Sequence, residues 1–276
     1  RKDKFSPRLH FNLIYRSSKN QQIRLGCPIG NGYLRIDQLN EVEQQIDSLQ
    51  IRRGNPHQKI AFQTTPMITY SGQFGRFNIG ANLLYNVINN ATVEYFYMEN
   101  DRLIRTFRSE GKHRSFTSQL SGAWKVTDNL RIKLAGNWVY VKYKSTPEEL
   151  KYFSGSAQID YYWSDFSCGV FAKSRTKWLN LNLMRGAEPF QYGGYVSWTH
   201  HNWHIEGGFR NLFVRHSKKE SVMDRGVYRY ENVAISKLDQ QTGYIKVAYT
   251  FDFGKKISRD NSNIDKVINS AILKTN

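Results

Sequence analysis

Long apolar runs are missing from this 276-residue sequence. A stretch of about 18 apolar residues would be needed for a transmembrane helix, so none is expected. This absence does not exclude a membrane protein, because a spanning β-strand needs only about 9–11 residues and is apolar only at alternate positions. The mean hydropathy of -0.62 therefore does not separate a soluble chain from a membrane-embedded one.

Cysteine is also scarce. Cys27 and Cys168 are the only two cysteines, and thiols so far apart in sequence make neither a disulfide framework nor a zinc site. Catalytic signatures are missing as well: there is no Gly-X-Ser-X-Gly, no His-Glu-X-X-His and no phosphate-binding loop. Neither an enzymatic activity nor a cofactor is therefore expected.

The charge is strongly positive, with a formal net charge of +17. Such a balance commonly indicates nucleic acid or an anionic surface as partner. Here the basic residues are spread along the chain and accompany no nucleic-acid motif, so an anionic lipid or lipopolysaccharide surface is the better fit. The sequence opens with Arg1-Lys2-Asp3-Lys4 and has no signal peptide, so an exported protein would be represented here by its mature chain or a fragment.

The stretch Gly243–Phe253 shows the pattern that organises the chain. Ile245, Val247 and Tyr249 fall on one side of an extended backbone, and Lys246 and Ala248 fall on the other. Eleven segments share this alternation and predict eleven antiparallel strands, at 7–16, 21–29, 62–70, 77–87, 116–126, 130–140, 157–163, 166–172, 190–198, 203–213 and 243–253. We expect residues 1–253 to form a β-barrel wall and residues 254–276 to form a polar tail with one short amphipathic helix.

The connections between these segments alternate in length. Short turns follow every second strand, and the other connections are mostly long, above all 30–59, 89–114 and 216–237. The connection 89–114 contains a strand-like piece of its own, Thr92–Met98. Outer-membrane barrels combine short periplasmic turns with long extracellular loops. This pattern predicts an antiparallel transmembrane β-barrel in the bacterial outer membrane, with its long loops extracellular and its C-terminus periplasmic.

Aromatic residues make up 14% of the chain and gather at the strand ends. Outer-membrane barrels carry two such girdles at the membrane interfaces. A soluble β-sandwich or barrel would also alternate, but its strands are usually shorter, about 5–6 residues. The expected girdles comprise, near the short turns or tail, Tyr15, Tyr70, Trp124, Trp163, Trp198 and Phe253 and, near the long connections, Tyr85, Trp138, Tyr140 and Phe213.

Eleven strands do not make a complete bacterial single-chain barrel, because such barrels have even strand numbers. The rest of the barrel is expected to supply an odd number of strands. Eleven more would give a barrel of about 22 strands, wide enough to need a plug in its lumen. The closing partner of Gly243–Phe253 is then expected to be a strand outside this sequence.

Several short motifs resemble those of TonB-dependent receptors. They are Ser48–Pro56 with its Gly-Asn-Pro ending, Phe5–Leu9 leading into Tyr15-Arg16, the final strand Val247–Lys256, and Asn269–Leu273 in the tail. His57, Gln58 and Lys59 depart from the Leu and Pro that typically follow Gly-Asn-Pro in that family. The resemblance implies the C-terminal half of a 22-stranded barrel, with a plug domain and an N-terminal half-barrel outside this sequence, and nutrient uptake driven through TonB.

Candidate functional residues fall into two groups. Residues on the polar faces of the strands are candidates to line the lumen, to contact a plug or simply to be solvated: Arg131, Lys133, Asp160, His204, Glu206 and Arg210. Basic residues of the long connections are candidates for an anionic ligand, for lipopolysaccharide phosphates, for a partner protein or for a solvated rim: Arg102, Arg105, Arg108, Lys112, Arg114, Arg215, Lys218 and Lys219.

His200, His201 and His204 are not expected to bind a metal, because adjacent strand residues face opposite ways. Cys27 and Cys168 are expected on the lipid-facing side, near opposite interfaces and unbonded. Two functions remain open: a TonB-dependent receptor for an unidentified nutrient, or a non-transporting barrel subunit of an outer-membrane secretion or assembly complex that binds other envelope proteins.

Overall fold

The computed structural model describes residues 8–144, 146–215, 217–236 and 240–251. Apart from the short helix α1 (Ile36–Leu39), the regular elements of this part are strands. They are β1 (Arg8–Ser18), β2 (Gln21–Asn31), β3 (Gln44–Gln45), β4 (Gln50–Arg52), β5 (Phe62–Thr64), β6 (Met67–Phe74), β7 (Phe77–Glu99), β8 (Arg102–Lys125), β9 (Leu130–Tyr143), β10 (Glu149–Trp163), β11 (Phe166–Lys173), β12 (Thr176–Leu179), β13 (Arg185–Glu188), β14 (Gln191–His200), β15 (Trp203–Arg210), β16 (Lys218–Asp224), β17 (Arg229–Ile235) and β18 (Thr242–Tyr249). Among the described residues, no helix has the length and apolar character needed to cross a bilayer.

One large antiparallel sheet contains the eleven predicted strands. Its order is β1-β2-β5-β7-β8-β9-β10-β11-β14-β15-β18, with β6 pairing to β2 and β7 beside β5. β5 and β6 are two pieces of the predicted third strand, and Pro66 lies in the gap because it has no backbone N–H to donate. The ladder continues across this gap, since Thr65 N donates to Pro28 O at 3.0 Å and Tyr85 N donates to Pro66 O at 3.0 Å.

The two ends of this strand order are β1 and β18. Within the described residues they do not pair with each other: β1 pairs with β2, and β18 pairs with β15. The sheet formed by these residues is therefore open at both edges. Closure by strands outside this sequence stays a prediction, and Asp252, Phe253 and the predicted tail 254–276 lie outside the described residues.

The sheet has one apolar and one polar face. Its register places apolar residues beside one another across neighbouring strands, as in the row Ile132, Ile159 and Val170. This apolar face is uncovered, with Leu134 59% and Val170 55% exposed. On the other face Asp160 is only 1% exposed. We call this two-faced sheet the wall. The residues that extend beyond it at one end belong to a second region, the cap, which is defined at the end of this subsection.

The two ends of the wall differ as the connection lengths predict. Gly75, Ser164 and His201 are the first residues of three two-residue turns and all have positive φ, at 56°, 50° and 49°. Aromatic rings gather at both ends on the apolar face: Phe77 stacks on Trp124 at 5.1 Å near the short turns, and Phe116 contacts Trp138 at 5.5 Å near the long connections. Phe116 and Trp124 lie eight positions apart on β8, about 27 Å along an extended strand.

The long connection predicted at 89–114 is not a loop, and the strand-like piece predicted within it, Thr92–Met98, lies inside β7. β7 and β8 run on through this segment as one hairpin, paired from Phe77–Trp124 to Glu99–Arg102. The hairpin closes with Asn100 and Asp101, whose φ values of 51° and 58° are the left-handed conformations of a type I′ turn. Charged residues alternate irregularly with apolar ones here, because both faces of the hairpin are covered by other segments.

Those segments form what we call the cap: the described residues of 32–61, 89–113, 141–150, 174–190 and 211–236. It contains a second sheet in the order β12-β13-β16-β17, while β4 pairs in parallel with β8. The cap holds every buried hydrophobic residue of the described chain: Ile51, Ala91, Val93, Phe96, Ile104, Phe107, Val141, Tyr143, Leu179 and Met223. The conventional hydrophobic core of this molecule therefore lies beyond the wall, at its long-connection end.

Candidate functional site

A buried carboxylate marks the centre of the polar face of the wall. Asp160 accepts a hydrogen bond from Gln158 Nε2 at 2.8 Å and from the Tyr195 hydroxyl at 3.1 Å, and its Oδ2 lies 3.0 Å from Lys133 Nζ. Ionised carboxylates need such partners when they leave water, because burial without them is costly. The four side chains come from β9, β10 and β14 and hold one another in fixed positions.

A glycine makes room for this cluster. Gly169 lies directly between Asp160 and Tyr195 in the ladder. A Cβ atom at Gly169 would come within 2.5 Å of Tyr195 Cε1 and 2.7 Å of Asp160 Oδ1. The tyrosine ring thus lies flat across β11 and its hydroxyl reaches the carboxylate one strand beyond.

A related contact occurs two strands further along, where the tyrosine bonds to a carboxylate on the same strand as the glycine. Tyr244 on β18 lies over Gly208 on β15, where a Cβ atom would come within 2.6 Å of its ring. Its hydroxyl donates to Glu206 Oε1 at 3.0 Å. His204 continues the row, with Nε2 3.6 Å from Glu206 Oε2 and Nδ1 2.8 Å from Thr199 Oγ1.

The six residues predicted on the polar faces share one face of the sheet. Lys133 and Asp160 belong to one cluster and His204 and Glu206 to another, while Arg131 stacks over the Tyr162 ring at 5.8 Å. Arg210 is exposed, opposite Gly193 and Thr242. Sequence reasoning missed the two connecting tyrosines, Tyr195 and Tyr244. The available signal was that each is an aromatic residue on the polar side of its strand.

In the cap, the Gly-Asn-Pro motif attaches the segment 32–61 to the β7/β8 hairpin. Gly54 is packed against Asn40, and a Cβ atom there would come within 2.3 Å of the Asn40 carbonyl oxygen. Asn55 Nδ2 donates to Phe107 O at 2.9 Å, and Asn55 Oδ1 accepts from His57 N at 2.9 Å. Only glycine fits the first position, and the second bonds the segment directly to β8.

Arginines make further connections between this segment and the hairpin. Arg53 donates to Glu99 at 2.7 Å and to Glu43, and these bonds raise the pKa of Arg53. Asp37 accepts from Arg35 at 2.6 Å and from Arg52. Burial alone would raise the pKa of Asp37, but the bonds from the two arginines lower it below its ordinary value.

A polar cavity of about 310 Å³ opens between these elements. It is lined by Arg35, Gln38, Arg52, Thr92, Glu94, Arg105, Phe107 and Asn182. Arg105 pairs with Glu94, but the Nε atoms of Arg52 and Arg105 are buried and have no hydrogen-bond partner among the described residues. Three guanidinium groups with two free donors form a pocket suited to an anionic group. We call it the arginine pocket.

The basic residues predicted on long connections are dispersed. Arg105 lines the arginine pocket, and Arg108 stacks over the Tyr95 ring at 3.5 Å. Three others lie elsewhere on β8, with Arg102 at the hairpin turn and Lys112 and Arg114 near the wall. The other three belong to the region of the second sheet. Arg215 lies just before β16, and Lys218 and Lys219 lie on β16. Arg35 and Arg52 were missed because no periodic pattern distinguishes them within 30–59.

No metal site emerges from the described part of the chain, where no group of three His, Cys, Asp or Glu side chains is placed to hold an ion. His200 Nδ1 lies 2.6 Å from Asp165 Oδ2, and its ring stacks on Trp198 at 5.6 Å. Cys27 and Cys168 are free thiols on the apolar face, opposite Phe11 and Tyr161 respectively.

Comparisons with known proteins identify the fold. No protein-family model and no curated protein sequence matches the chain. Among solved structures, the copper transporter OprC aligns over 88% of this chain and 39% of its own, with a TM-score of 0.64 and 10% identity. The FrpB iron transporter from Neisseria meningitidis covers 88% of this chain and 38% of its own (TM-score 0.59, 10% identity). The ferric enterobactin receptor PfeA from Pseudomonas aeruginosa covers 89% and 40% (TM-score 0.59, 13% identity).

These neighbours are transport receptors of the outer membrane, and none of them is an enzyme. The resemblance to TonB-dependent receptors predicted from the motifs is confirmed at the level of the fold, and the chain matches part of their barrel. The chain spans about two fifths of the length of these structures, 39% for OprC. The wall thus has the fold of part of the barrel wall of these structures.

Proposed function

We propose that this chain is the C-terminal half of a TonB-dependent outer-membrane receptor that takes up a scarce nutrient. The observation that carries the proposal is the inverted burial of the wall, with apolar residues uncovered and Asp160 buried, in a sheet that aligns with metal-uptake receptors. In this proposal the complete barrel has about 22 strands, filled by a plug domain. The cap is extracellular, and the short turns and the C-terminus are periplasmic.

The polar face then lines the lumen and contacts the plug. Its clusters suit that role because Lys133 and Asp160, and Tyr244 and Glu206, hold one another in fixed positions. Positions fixed by hydrogen bonding present the same polar surface before and after a plug moves. Arg131 and Arg210 make no ion pair among the described residues, so they are the cations available to carboxylates of the plug.

The arginine pocket is the part of the cap that we assign to cargo. Arginines repel a bare metal cation and bind carboxylate, catecholate or phosphate oxygens by charge-assisted hydrogen bonds. Among the solutes named for the structural neighbours, which are copper, iron and ferric enterobactin, this pocket favours an anionic ferric chelate over free copper.

An uptake experiment tests the transport proposal. Cells with and without the full gene, each with and without TonB, receive ⁵⁵Fe-enterobactin or ⁶⁴Cu at the same concentration. We expect iron uptake that needs both the gene and TonB. Accumulation of neither solute, with stable co-purification of several other envelope proteins, would contradict transport and favour the barrel subunit of a secretion or assembly complex.

The arginine pocket has a test of its own. Arg52→Gln and Arg105→Gln each remove a charged donor, and we expect each to raise the half-saturating concentration of ⁵⁵Fe-enterobactin about tenfold, as for one charge-assisted hydrogen bond. Arg102→Gln, at the exposed hairpin turn, is the matched control and should leave uptake unchanged. Equal effects of all three would show that only the overall charge of the cap matters.

A further inference from the structure

The arginine pocket contains a carboxylate of its own. Of the described residues that line the pocket, Glu94 is the only acid, against the three cations Arg35, Arg52 and Arg105. The Glu94 side chain is 15% exposed, and its carboxylate is paired with Arg105. An anionic group that enters the pocket therefore finds one of the three guanidinium groups already occupied.

The register of the β7/β8 hairpin places this ion pair in the pocket. Glu94 is directly opposite Phe107, and Arg105 is directly opposite Phe96. Glu94 and Arg105 are therefore diagonal neighbours on one face of the hairpin, within reach of long side chains. The Arg52 guanidinium lies over the Phe107 ring at 5.4 Å, so the pair meets on the face that Arg52 covers.

The backbone of Glu94 is held by two other connections of the cap. Its N–H donates to Asn182 Oδ1 at 3.1 Å, and its carbonyl oxygen accepts from the Arg225 guanidinium at 2.9 Å. Asn182 belongs to the connection 174–190, and Arg225 belongs to the connection 211–236. A shift of β7 at Glu94 would break both bonds, so the carboxylate stays beside Arg105.

Competition for Arg105 limits which ligands can bind. Within the described residues, Arg105 is the only side chain bonded to the Glu94 carboxylate. A ligand that takes Arg105 leaves a largely buried carboxylate without a partner, which is costly. A neutral or singly charged group forms too few bonds to offset this cost. A group with several anionic oxygens can also accept from the free Nε atoms of Arg52 and Arg105.

We propose that Glu94 determines the charge selectivity of the arginine pocket: as a built-in competitor for Arg105, it excludes neutral and singly charged ligands and admits multiply charged anions. The inference rests on the proposed function, because it takes the arginine pocket as the cargo site. It concerns binding at equilibrium and does not depend on TonB, so it can be tested on the purified receptor without transport.

Calorimetric titration of the full receptor in detergent tests the proposal. The probes are inorganic pyrophosphate, which is multiply charged, and acetate, which is singly charged. We expect the unmodified receptor to bind pyrophosphate and not acetate. Glu94→Gln keeps the shape of the side chain and frees Arg105, so pyrophosphate should bind about tenfold more tightly, as for one charge-assisted hydrogen bond. Acetate binding should become measurable in this variant.

Two further variants separate this effect from general electrostatics. In the Arg105→Gln background, Glu94→Gln should lose most of its benefit, because the carboxylate then has no guanidinium to occupy. Glu99→Gln removes an exposed acid near the hairpin turn that is paired with Arg53, and it should leave both affinities unchanged.

Several results would overturn the role of Glu94. They are unchanged or weaker pyrophosphate binding in Glu94→Gln, a full benefit without Arg105, an equal gain from Glu99→Gln, or no pyrophosphate binding in any variant. Uptake of ⁵⁵Fe-enterobactin by cells carrying the same variants keeps this proposal apart from transport. Selective pyrophosphate binding without uptake contradicts transport alone, and uptake without the effect of Glu94→Gln contradicts the role of Glu94 alone.

Discussion

The wall and the cap bury opposite kinds of residue. In the cap Ile104 is 1% exposed and arginines reach the surface, as in a soluble domain, whereas in the wall Asp160 is 1% exposed and Leu134 is 59% exposed. The two regions share β7 and β8, which pass from one to the other in a single register, with the pairing interrupted at Asn90 (φ 53°). One strand pair thus follows two burial rules along its length, and the proposed membrane placement explains this as a change of surroundings from lipid to water.

The largest contrast is expected from truncating one apolar residue in each region. Ile104→Ala leaves a cavity in the cap core and should destabilise the cap by about 2–5 kcal/mol. Leu134→Ala, its control in the wall, stays in contact with lipid and should cost far less. Hydrogen exchange of the amides at 91–110 measures the effect of Ile104→Ala. A comparable loss of stability from both substitutions would contradict the difference between wall and cap.

Within the wall, we expect an introduced charge to be destabilising on the apolar face and tolerated on the polar face. Leu134→Arg places a cation on the apolar face and should destabilise the folded barrel by about 2–4 kcal/mol near the bilayer midplane. Asn137→Arg places the same side chain on the polar face of β9 and should be tolerated. Urea unfolding of the full receptor in lipid vesicles, followed by tryptophan fluorescence, compares them; if Asn137→Arg is the worse of the two, the face assignment is wrong.

Removing the buried charge of the wall should have a smaller effect. Asp160→Asn keeps the shape of the side chain but leaves Lys133 without its ion-pair partner, at a cost of about 1–3 kcal/mol. Tyr195→Phe removes only the hydroxyl that donates to Asp160 and should cost about 1 kcal/mol. The melting temperatures of both variants in detergent provide the measurement. A larger loss from Tyr195→Phe would mean that the tyrosine hydroxyl, not the charge of Asp160, holds the cluster.

The smallest predicted effect is a pH dependence confined to the cap. His113 lies beyond the aromatic girdle, and burial lowers its pKa below the ordinary value of 6.5. The unfolded segment therefore takes up a proton at a higher pH than the folded cap does. The contribution of neutral His113 is complete above about pH 6.5 and is lost as the pH falls further.

Hydrogen exchange at pH 7.5 and pH 5.5, corrected for intrinsic rates, measures this dependence. Protection of the cap amides around Tyr143 should fall at the lower pH, while the amides of β10 and β11 in the wall keep theirs. His113→Gln should abolish the difference between the two pH values. A pH effect that persists in this variant would have to come from another group.

The wall could be predicted from sequence because each of its strands has one apolar and one polar face. Strict alternation, as in Phe166, Cys168 and Val170, is the direct result, and the eleven strand positions follow from it. The polar-face candidates were found for the same reason. Their partners Tyr195 and Tyr244 were not, because the contact of a tyrosine with a glycine on the next strand depends on register.

The cap could not be predicted in this way. In the hairpin only the piece at 92–98 was predicted to be strand-like, because Phe96 and Phe107 lie among Glu94 and Arg105 and interrupt the alternation. Its second sheet pairs Arg185–Glu188 with Lys218–Asp224 across a long sequence separation, and local patterns carry no information about such pairs. The arginine pocket depends on three separate segments of chain and has no signature in any one of them.

The central claim is that the apolar face of the wall contacts lipid and the polar face contacts water. Nitroxide labels placed singly from Arg131 to Trp138 on β9, in the full receptor with Cys27 and Cys168 replaced by serine, test it in lipid vesicles. We predict that oxygen, which partitions into lipid, relaxes the labels at 132, 134, 136 and 138, and that a water-soluble nickel chelate relaxes those at 131, 133, 135 and 137. Access of the nickel chelate to all eight labels, without alternation, would contradict the account.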